Sequence, residues 1–203
     1  MSKVINWIWL SVLLLCLFCF GTVFADMQQL QSNVIRVHVI ANSNDPEDQR
    51  IKLSVRDAVI DYLKDDMEFI ADAQDAKAYI HDELPQLESI VNSTLAESGS
   101  DDYAHVSLTK EAFGMREYDT FRLPSGIYDS LKIEIGNAEG KNWWCVVFPS
   151  LCLPTTTEEF MDTAVASGFD QGLVRTLSGN EGHEVRFFFL DCLGKLENLF
   201  SFS

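Results

Sequence analysis

Residues 35–50, Ile-Arg-Val-His-Val-Ile-Ala-Asn-Ser-Asn-Asp-Pro-Glu-Asp-Gln-Arg, carry the signals for a strand, a loop and the start of a helix. The first six are rich in β-branched side chains, which favours a short strand buried on at least one face. The Asn, Ser and Asp side chains that follow compete for backbone hydrogen bonds and end the strand. Asp45 before Pro46 is a favourable helix start, and the periodicity beyond it predicts a helix to about Lys64. Its charged residues, including Lys52, are expected to be solvated.

Helical and strand patterns alternate further along the chain. A second helical stretch covers about 72–97, and Pro85 within it predicts a kink or a division into two helices. Strands are predicted at 104–109, 131–135 and 143–148, and the last two are expected to pair as an antiparallel hairpin. The sequence therefore predicts an α+β fold with one N-terminal strand, two to three helices, an antiparallel β-hairpin sheet and a C-terminal helix.

The N-terminus has the pattern of a targeting segment. Residues 4–24 form an apolar run of 21 residues after Lys3, which is long enough to span a bilayer core. The run ends in Val23-Phe24-Ala25, which suits a signal peptidase, so we expect cleavage after Ala25, with an uncleaved anchor as the alternative. The chain then divides into a signal peptide or membrane anchor, 1–25, and a single extracytoplasmic domain, 26–203.

The charge of the chain excludes some classes of partner. Lys plus Arg number 15 and Asp plus Glu number 31, so the formal net charge is −16 over 203 residues. Nucleic-acid binding needs clustered basic residues, and such a charge also opposes steering toward an anionic lipid surface. We therefore expect no nucleic-acid partner, and membrane contact only through the N-terminal segment.

Three cysteines lie outside the apolar run. Cys145 and Cys152 are close in sequence, and disulfides persist outside the cytosol, so a small loop could be closed between them, leaving Cys192 unpaired. The alternative is that all three are small buried apolar side chains. Without a CxxC pair or a neighbouring ligating histidine, they do not indicate a metal site.

The sequence has no motif of a known catalytic centre. HExxH, GxSxG and GxxxxGK are absent, and no two histidines have metal-binding helical spacing. Asp45, Glu47 and Asp48 are better explained by helix capping than by calcium. His38 beside Arg36 could lie in a cleft, but it has no visible partner. We therefore expect no enzymatic activity, no cofactor and no metal.

The C-terminal helix has a wide apolar face. Its main stripe is Val185, Phe188, Phe189, Cys192, Leu193, Leu196 and Phe200, and Phe187 and Leu190 widen it. Such a stripe predicts docking on the core. The alternative is a surface helix that meets a membrane or a membrane protein, and the lack of a basic face favours protein over lipid.

Three segments together resemble one protein family. They are residues 35–43 (IRVHVIANS) with 46–49 (PEDQ), residues 52–58 (KLSVRDA), and residues 140–149 (GKNWWCVVFP) with Leu151 and Cys152. In this order they resemble the stage II sporulation protein R family of endospore-forming bacteria, and Leu123 to Tyr128 fits the same pattern.

The resemblance implies a secreted signalling protein, made in the forespore and exported between the two membranes around it. It implies activation of a membrane-embedded aspartic protease, which then cleaves the precursor of the mother-cell sigma factor, sigma-E. A protein of this kind needs a contact face, for which the candidates are Asn42, Asp45, Asn142, Trp143 and Trp144. An extracytoplasmic hydrolase that uses His38 and a plain envelope-binding module are the alternatives.

Overall fold

The computed structural model describes residues 2–149, 156–179 and 184–201. The helices are α1 (Ser2–Asn33), α2 (Pro46–Phe69), α3 (Ala73–Glu97), α4 (Thr157–Ala166), α5 (Gln171–Leu177) and α6 (Glu184–Ser201). The strands are β1 (Ile35–Ile40), β2 (Ala104–Phe113), β3 (Arg116–Glu117), β4 (Arg122–Leu123), β5 (Gly126–Ile135) and β6 (Asn142–Phe148). The predicted α+β class and C-terminal helix are confirmed.

Four strands form a mixed sheet in the order β2-β5-β1-β6, and β3 and β4 form a separate two-stranded antiparallel sheet. Strand β1 is central, lying parallel to β5 and antiparallel to β6. Nearly every residue of β1 is buried, so side chains on both of its faces are covered. A strand buried on both faces belongs in the middle of a sheet, where all its backbone groups are paired.

The predicted pairing of 131–135 with 143–148 is wrong. These segments lie in β5 and β6, and β1 is inserted between them. The connection 136–141 is long enough to cross two strand spacings, which amount to about 10 Å. The sequence around this connection could not show the insertion, because β1 lies about one hundred residues earlier in the chain.

Helices cover both faces of the sheet and form two cores. Val37, Val39, Leu131 and Ile133 pack with the apolar faces of α2 and α3. On the opposite face, α1, α4, α5 and α6 pack around a second core that includes Leu30, Tyr128, Val146, Phe160 and Leu190. The sheet therefore separates the helical hairpin α2–α3 from the helices at the two ends of the chain.

Helix α1 contains the apolar run and extends beyond it into the domain. Its stretch Lys3–Asn33 is long and apolar enough to cross a membrane, by length and composition, and the most apolar window is 6% buried. By contrast, Val23, Met27 and Leu30 are buried in the second core. The segment beyond the predicted cleavage point is therefore helical and packs as part of the domain.

Helix α3 tolerates Pro85 without dividing. The proline lies on the exposed side of the helix. The carbonyl that loses its hydrogen bond there can be solvated, which reduces the cost of a proline inside a helix. The prediction of a helix over 72–97 is confirmed, and the helix remains a single element.

Helix α6 docks through a different face from the predicted stripe. Phe187 and Leu190 are buried in the second core. Most large apolar residues of the predicted stripe are instead exposed, namely Val185, Phe188, Phe189, Leu196 and Phe200. The docked side also carries Asp191 and Gly194, which contact Ser125, so apolar periodicity alone could not identify it.

Candidate functional site

Two of the segments that carry the family resemblance meet where β1 and β5 end. The Asn42 side-chain Oδ1 accepts a hydrogen bond from the Asn137 backbone N–H at 2.9 Å. The backbone oxygens of Ala41 and Asn42 accept from the N–H groups of Gly140 and Glu139, at 2.9 and 3.1 Å. We call these joined loops, residues 41–48 and 136–142, the loop end.

Gly140 permits this close approach. A Cβ at this position would overlap the backbone carbonyl of Ser43, a group that cannot rotate away. The glycine before Lys141 in the third resemblance segment therefore allows one loop to pack against the other.

The buried side chain of Lys52, on α2, connects α2 to the loop end. Its Nζ donates to the Gln49 Oε1 at 2.7 Å and to the Lys141 backbone oxygen at 2.9 Å, and the residue is 5% exposed. Burial lowers the pKa of this amine, and the charges of Lys141 and Arg56 lower it further. The prediction that Lys52 is solvated is therefore wrong. Local sequence could not reveal the contact, because the backbone oxygen of Lys141 is 89 residues away in the chain.

Three of the predicted contact residues lie together at the loop end. Asp45 and Asn142 are exposed, and Asn42 is half-buried by its hydrogen bonds. Asp45 occupies the N-cap position of α2, as predicted, but its side chain makes no capping hydrogen bond. Its carboxylate is therefore not used by the helix and is free to face a partner.

Trp143 and Trp144 point to opposite faces of β6, and both are half-buried. Trp143 packs against the α2–α3 core, and the Arg56 guanidinium lies 5.2 Å from its ring centroid. Trp144 stacks on His38 at a centroid distance of 5.6 Å, and the Arg116 guanidinium lies 3.8 Å from its ring. Each indole is thus covered by an arginine, which is a favourable cation–π arrangement.

A polar cluster lies beside Trp144 on the α1–α6 face of the sheet. The His38 Nδ1 is 3.1 Å from a Glu111 carboxylate oxygen, and the Lys132 Nζ is 4.0 Å from the other. Burial alone would raise the pKa of Glu111, but the hydrogen bond to His38 and the nearby charges hold it below its ordinary value. Sequence reasoning missed this pair because the residues are 73 positions apart.

The cluster has only part of what nucleophilic catalysis requires. A histidine with a carboxylate partner resembles the base and orienting group of a catalytic triad. Within residues 2–149, 156–179 and 184–201, however, no hydroxyl or thiol is hydrogen-bonded to His38. In the same ranges no group of three or more His, Cys, Asp or Glu side chains could hold a metal ion.

The cysteine prediction is left open. Cys145 is buried in β6, whereas Cys152 lies outside the described residues. A disulfide between them stays a prediction. Cys192 is half-buried on α6.

The loop end and the α1–α6 pair lie at opposite ends of the sheet. The side chains of Met27 and Gln31 on α1 lie against Gly126, the first residue of β5, whereas Asn42 lies against Gly136, just after its last residue. Ten residues of strand separate the two ends, which is about 33 Å. A contact made at the loop end is therefore far from the helix that could enter a membrane.

The fold and this site define a mixed α+β domain that is continuous with an apolar N-terminal helix and has an exposed polar end. The chain matches the family model of stage II sporulation protein R over residues 31–158, and it belongs to that family. It is 26% identical over 185 residues to stage II sporulation protein R of Bacillus subtilis (strain 168), covering 82% of this chain and 83% of that protein. No solved structure matches the chain. The family assigns the chain a role in sporulation.

Proposed function

We propose that the chain is an exported signalling protein of endospore formation that activates a membrane-embedded aspartic protease from its extracytoplasmic side. The activated protease then processes the precursor of the mother-cell sigma factor, sigma-E. The observation that carries the proposal is family membership, together with a loop end assembled from two of the resemblance segments. The export route is the apolar part of α1, which acts as a signal peptide or an anchor.

Activation by binding sets a physical requirement on the contact face. A ligand shifts a protease toward its active state only if it binds that state more tightly, and each tenfold preference amounts to about 1.4 kcal/mol. A face of fixed shape meets this requirement better than a mobile one, because little ordering entropy is lost on binding. The hydrogen bonds between the two loops supply that rigidity, and the side chains of Asp45 and Asn142 supply exposed polar groups.

Reconstitution tests the proposed activity. The exported chain, the protease and the sigma precursor are coexpressed in a non-sporulating host, and precursor cleavage is followed by immunoblot. We expect cleavage only when all three are present. Equal cleavage without this chain, or none when all three are folded and correctly located, would contradict the proposal.

The loop end is tested in the same host by Asn142→Ala, with Asp162→Ala as the matched control. Both side chains are exposed, but Asp162 lies on α4, away from the loop end. We expect Asn142→Ala to lower cleavage and Asp162→Ala to leave it unchanged. Trp143→Ala and Trp144→Ala address the predicted tryptophan contacts, but each also removes packed surface, so the free energy of unfolding must be measured beside activity.

The His38–Glu111 pair is the observation that favours a hydrolase as the second candidate. His38→Gln removes the imidazole, and with it any catalytic base, but it keeps a side-chain amide that can still form a hydrogen bond. We expect precursor cleavage to persist in this variant if the protein remains folded. Loss of cleavage at unchanged stability would favour the hydrolase.

A further inference from the structure

The exposed apolar residues of α6 lie beside the helix that can cross a membrane. Val185, Phe188, Phe189, Leu196, Leu199 and Phe200 are between 51% and 78% exposed and recur along one face. A continuous apolar face of this size on a protein surface indicates a binding partner. The contacts between α1 and α6 identify what that partner is.

An ion pair places the first turn of α6 beside the point on α1 at which the apolar run ends. The apolar run of α1 ends at Phe24, and Asp26 is the first charged residue after Lys3. The Arg186 guanidinium contacts the Asp26 carboxylate at 2.6 Å. The 21 residues of the run correspond to about 32 Å of helix, which matches a bilayer core. Arg186 therefore lies where the membrane meets water, and Phe188 and Phe189 lie within one helical turn of it.

A second contact gives the inclination of α6. The Gln31 side chain of α1 donates a hydrogen bond to Glu197 of α6. Between the two contacts the chain advances five residues along α1 but eleven along α6, which is about 7.5 Å against about 16 Å. Helix α6 is therefore inclined to α1, and its N-terminal part, with Phe188 and Phe189, lies nearest the point at which the apolar run ends.

One side of α6 is docked against the start of β5. Asp191 accepts hydrogen bonds from the backbone N–H and the hydroxyl of Ser125, and Gly194 packs against the Ser125 carbonyl. Ser125 directly precedes β5, and β5 leads toward the loop end. The opposite side of α6, which carries the exposed phenylalanines, consequently points away from the sheet, next to the α1 segment that ends the apolar run.

We propose that α6 is an interfacial helix, with its phenylalanine face inserted into the surface of the same membrane that α1 crosses. The acidic chain has no electrostatic attraction to anionic lipid, and α6 lacks a basic face. It needs neither, because its attachment to α1 holds it at the membrane surface at high effective concentration. Insertion is therefore driven by apolar area and is independent of lipid charge.

The two ends of the domain then have different roles. With α1 and α6 fixed in one membrane, β5 directs the loop end about 33 Å away from that surface. The proposal holds whether or not a protease is the partner, since it concerns the opposite end of the molecule. It replaces the expectation that the membrane is contacted only through the N-terminal segment.

Photo-crosslinking of the full chain in liposomes tests the interfacial helix. Benzoyl-phenylalanine is placed at position 188, and in a control chain at position 103, where Tyr103 is an exposed aromatic residue beside the loop end. The proteins are reconstituted alone into phosphatidylcholine vesicles with and without phosphatidylglycerol, using fluorescent phospholipid, and the intact mass of each chain is measured first.

We expect a lipid adduct at position 188 in both kinds of vesicle and none above background at position 103. A chain-to-chain adduct at 188 in place of lipid would show that a second copy covers this face and would overturn the proposal. Equal labelling at the two positions, or recovery of the chain only without residues 1–25, would also overturn it. No protease is present, so the result is independent of the proposed signalling activity.

Discussion

Buried basic side chains are prominent in this acidic chain. Arg36 is fully buried; its guanidinium lies 4.0 Å from the Phe113 ring centroid and donates to the Tyr118 hydroxyl at 3.0 Å. Lys52 is held by an amide and a backbone oxygen. Burying a cation is costly unless its polar groups are satisfied, so both residues depend strongly on these contacts.

Lys52→Met should weaken the fold at the loop end. The methionine keeps much of the apolar stem but leaves the Lys141 carbonyl without its buried donor, so we expect a loss of about 1.5–3 kcal/mol in the free energy of unfolding. Urea denaturation of the full chain in detergent, followed by tryptophan fluorescence, measures it. Lys64→Met on the same helix is the control, since its ion pair with Asp61 is exposed and should contribute nothing measurable. Equal effects of the two substitutions would contradict this role of Lys52.

For helices and strands, local sequence patterns predict where most of the elements lie. They do not predict which strands pair or which helices pack together. The start of α2 at Pro46 and the strand Ile35–Ile40 follow from local chemistry, namely a proline at the first helical turn and a run of β-branched residues. The end of α2 was predicted about five residues early, because Met67 continues the helix by packing into a core made of distant segments. Likewise, Asp45 and Asn142 were identified as exposed polar residues, whereas the Lys52 and His38–Glu111 contacts depend on long-range pairing.

At Gly194 the backbone of α6 packs directly against the Ser125 carbonyl, so Gly194→Ala should displace the helix. The added Cβ would overlap the Ser125 carbonyl, and overpacking of this kind costs about 1–3 kcal/mol. Displacement exposes Cys192, so alkylation at this half-buried thiol, measured by peptide mass spectrometry, should become faster. Gly114→Ala is the control, since a Cβ there meets open space. An unchanged alkylation rate in Gly194→Ala would show that α6 is not held at this contact.

Asp191 connects α6 to the start of β5 through a charge, which predicts a pH dependence. Burial alone would raise the pKa of Asp191, but the hydrogen bonds from Lys195 and Ser125 hold it below its ordinary value. A carboxylate whose pKa is lowered on folding stabilises the protein above its unfolded-state pKa, and this stabilisation is lost as the pH falls through the folded-state value.

Asp191→Asn should therefore reduce the free energy of unfolding by about 1.5–3 kcal/mol at pH 7. The difference from wild type should be constant above about pH 5 and shrink below about pH 4, as first the carboxylate of the unfolded chain and then, at lower pH, that of the folded protein takes up a proton. Urea denaturation across this pH range measures it, and Asp101→Asn, in the exposed loop before β2, is the control. A difference that does not change with pH would mean that the charge of Asp191 contributes nothing.

At the scale of the whole molecule, the proposed function requires export of the domain, and the structure shows where the leader can be removed. The residues of α1 that pack in the second core begin at Val23, whereas residues 4–18 include many large apolar side chains that are exposed. Deleting residues 2–22 therefore removes all but the last two residues of the apolar run while keeping Val23, Met27 and Leu30 in the core. The deletion should leave a folded domain confined to the cytosol.

In the reconstituted host, this truncated chain should give no precursor cleavage, because the loop end and the extracytoplasmic face of the protease are then in different compartments. Placing an unrelated secretory leader before Val23 should restore cleavage, since the contact surface is unchanged and only the location differs. Immunoblots of fractionated cells verify location, and circular dichroism of the purified truncated chain verifies folding. Cleavage by the cytosolic chain would contradict extracytoplasmic signalling. If the exported, folded chain gives no precursor cleavage, α1 itself is required, as an anchor that orients the loop end toward the protease.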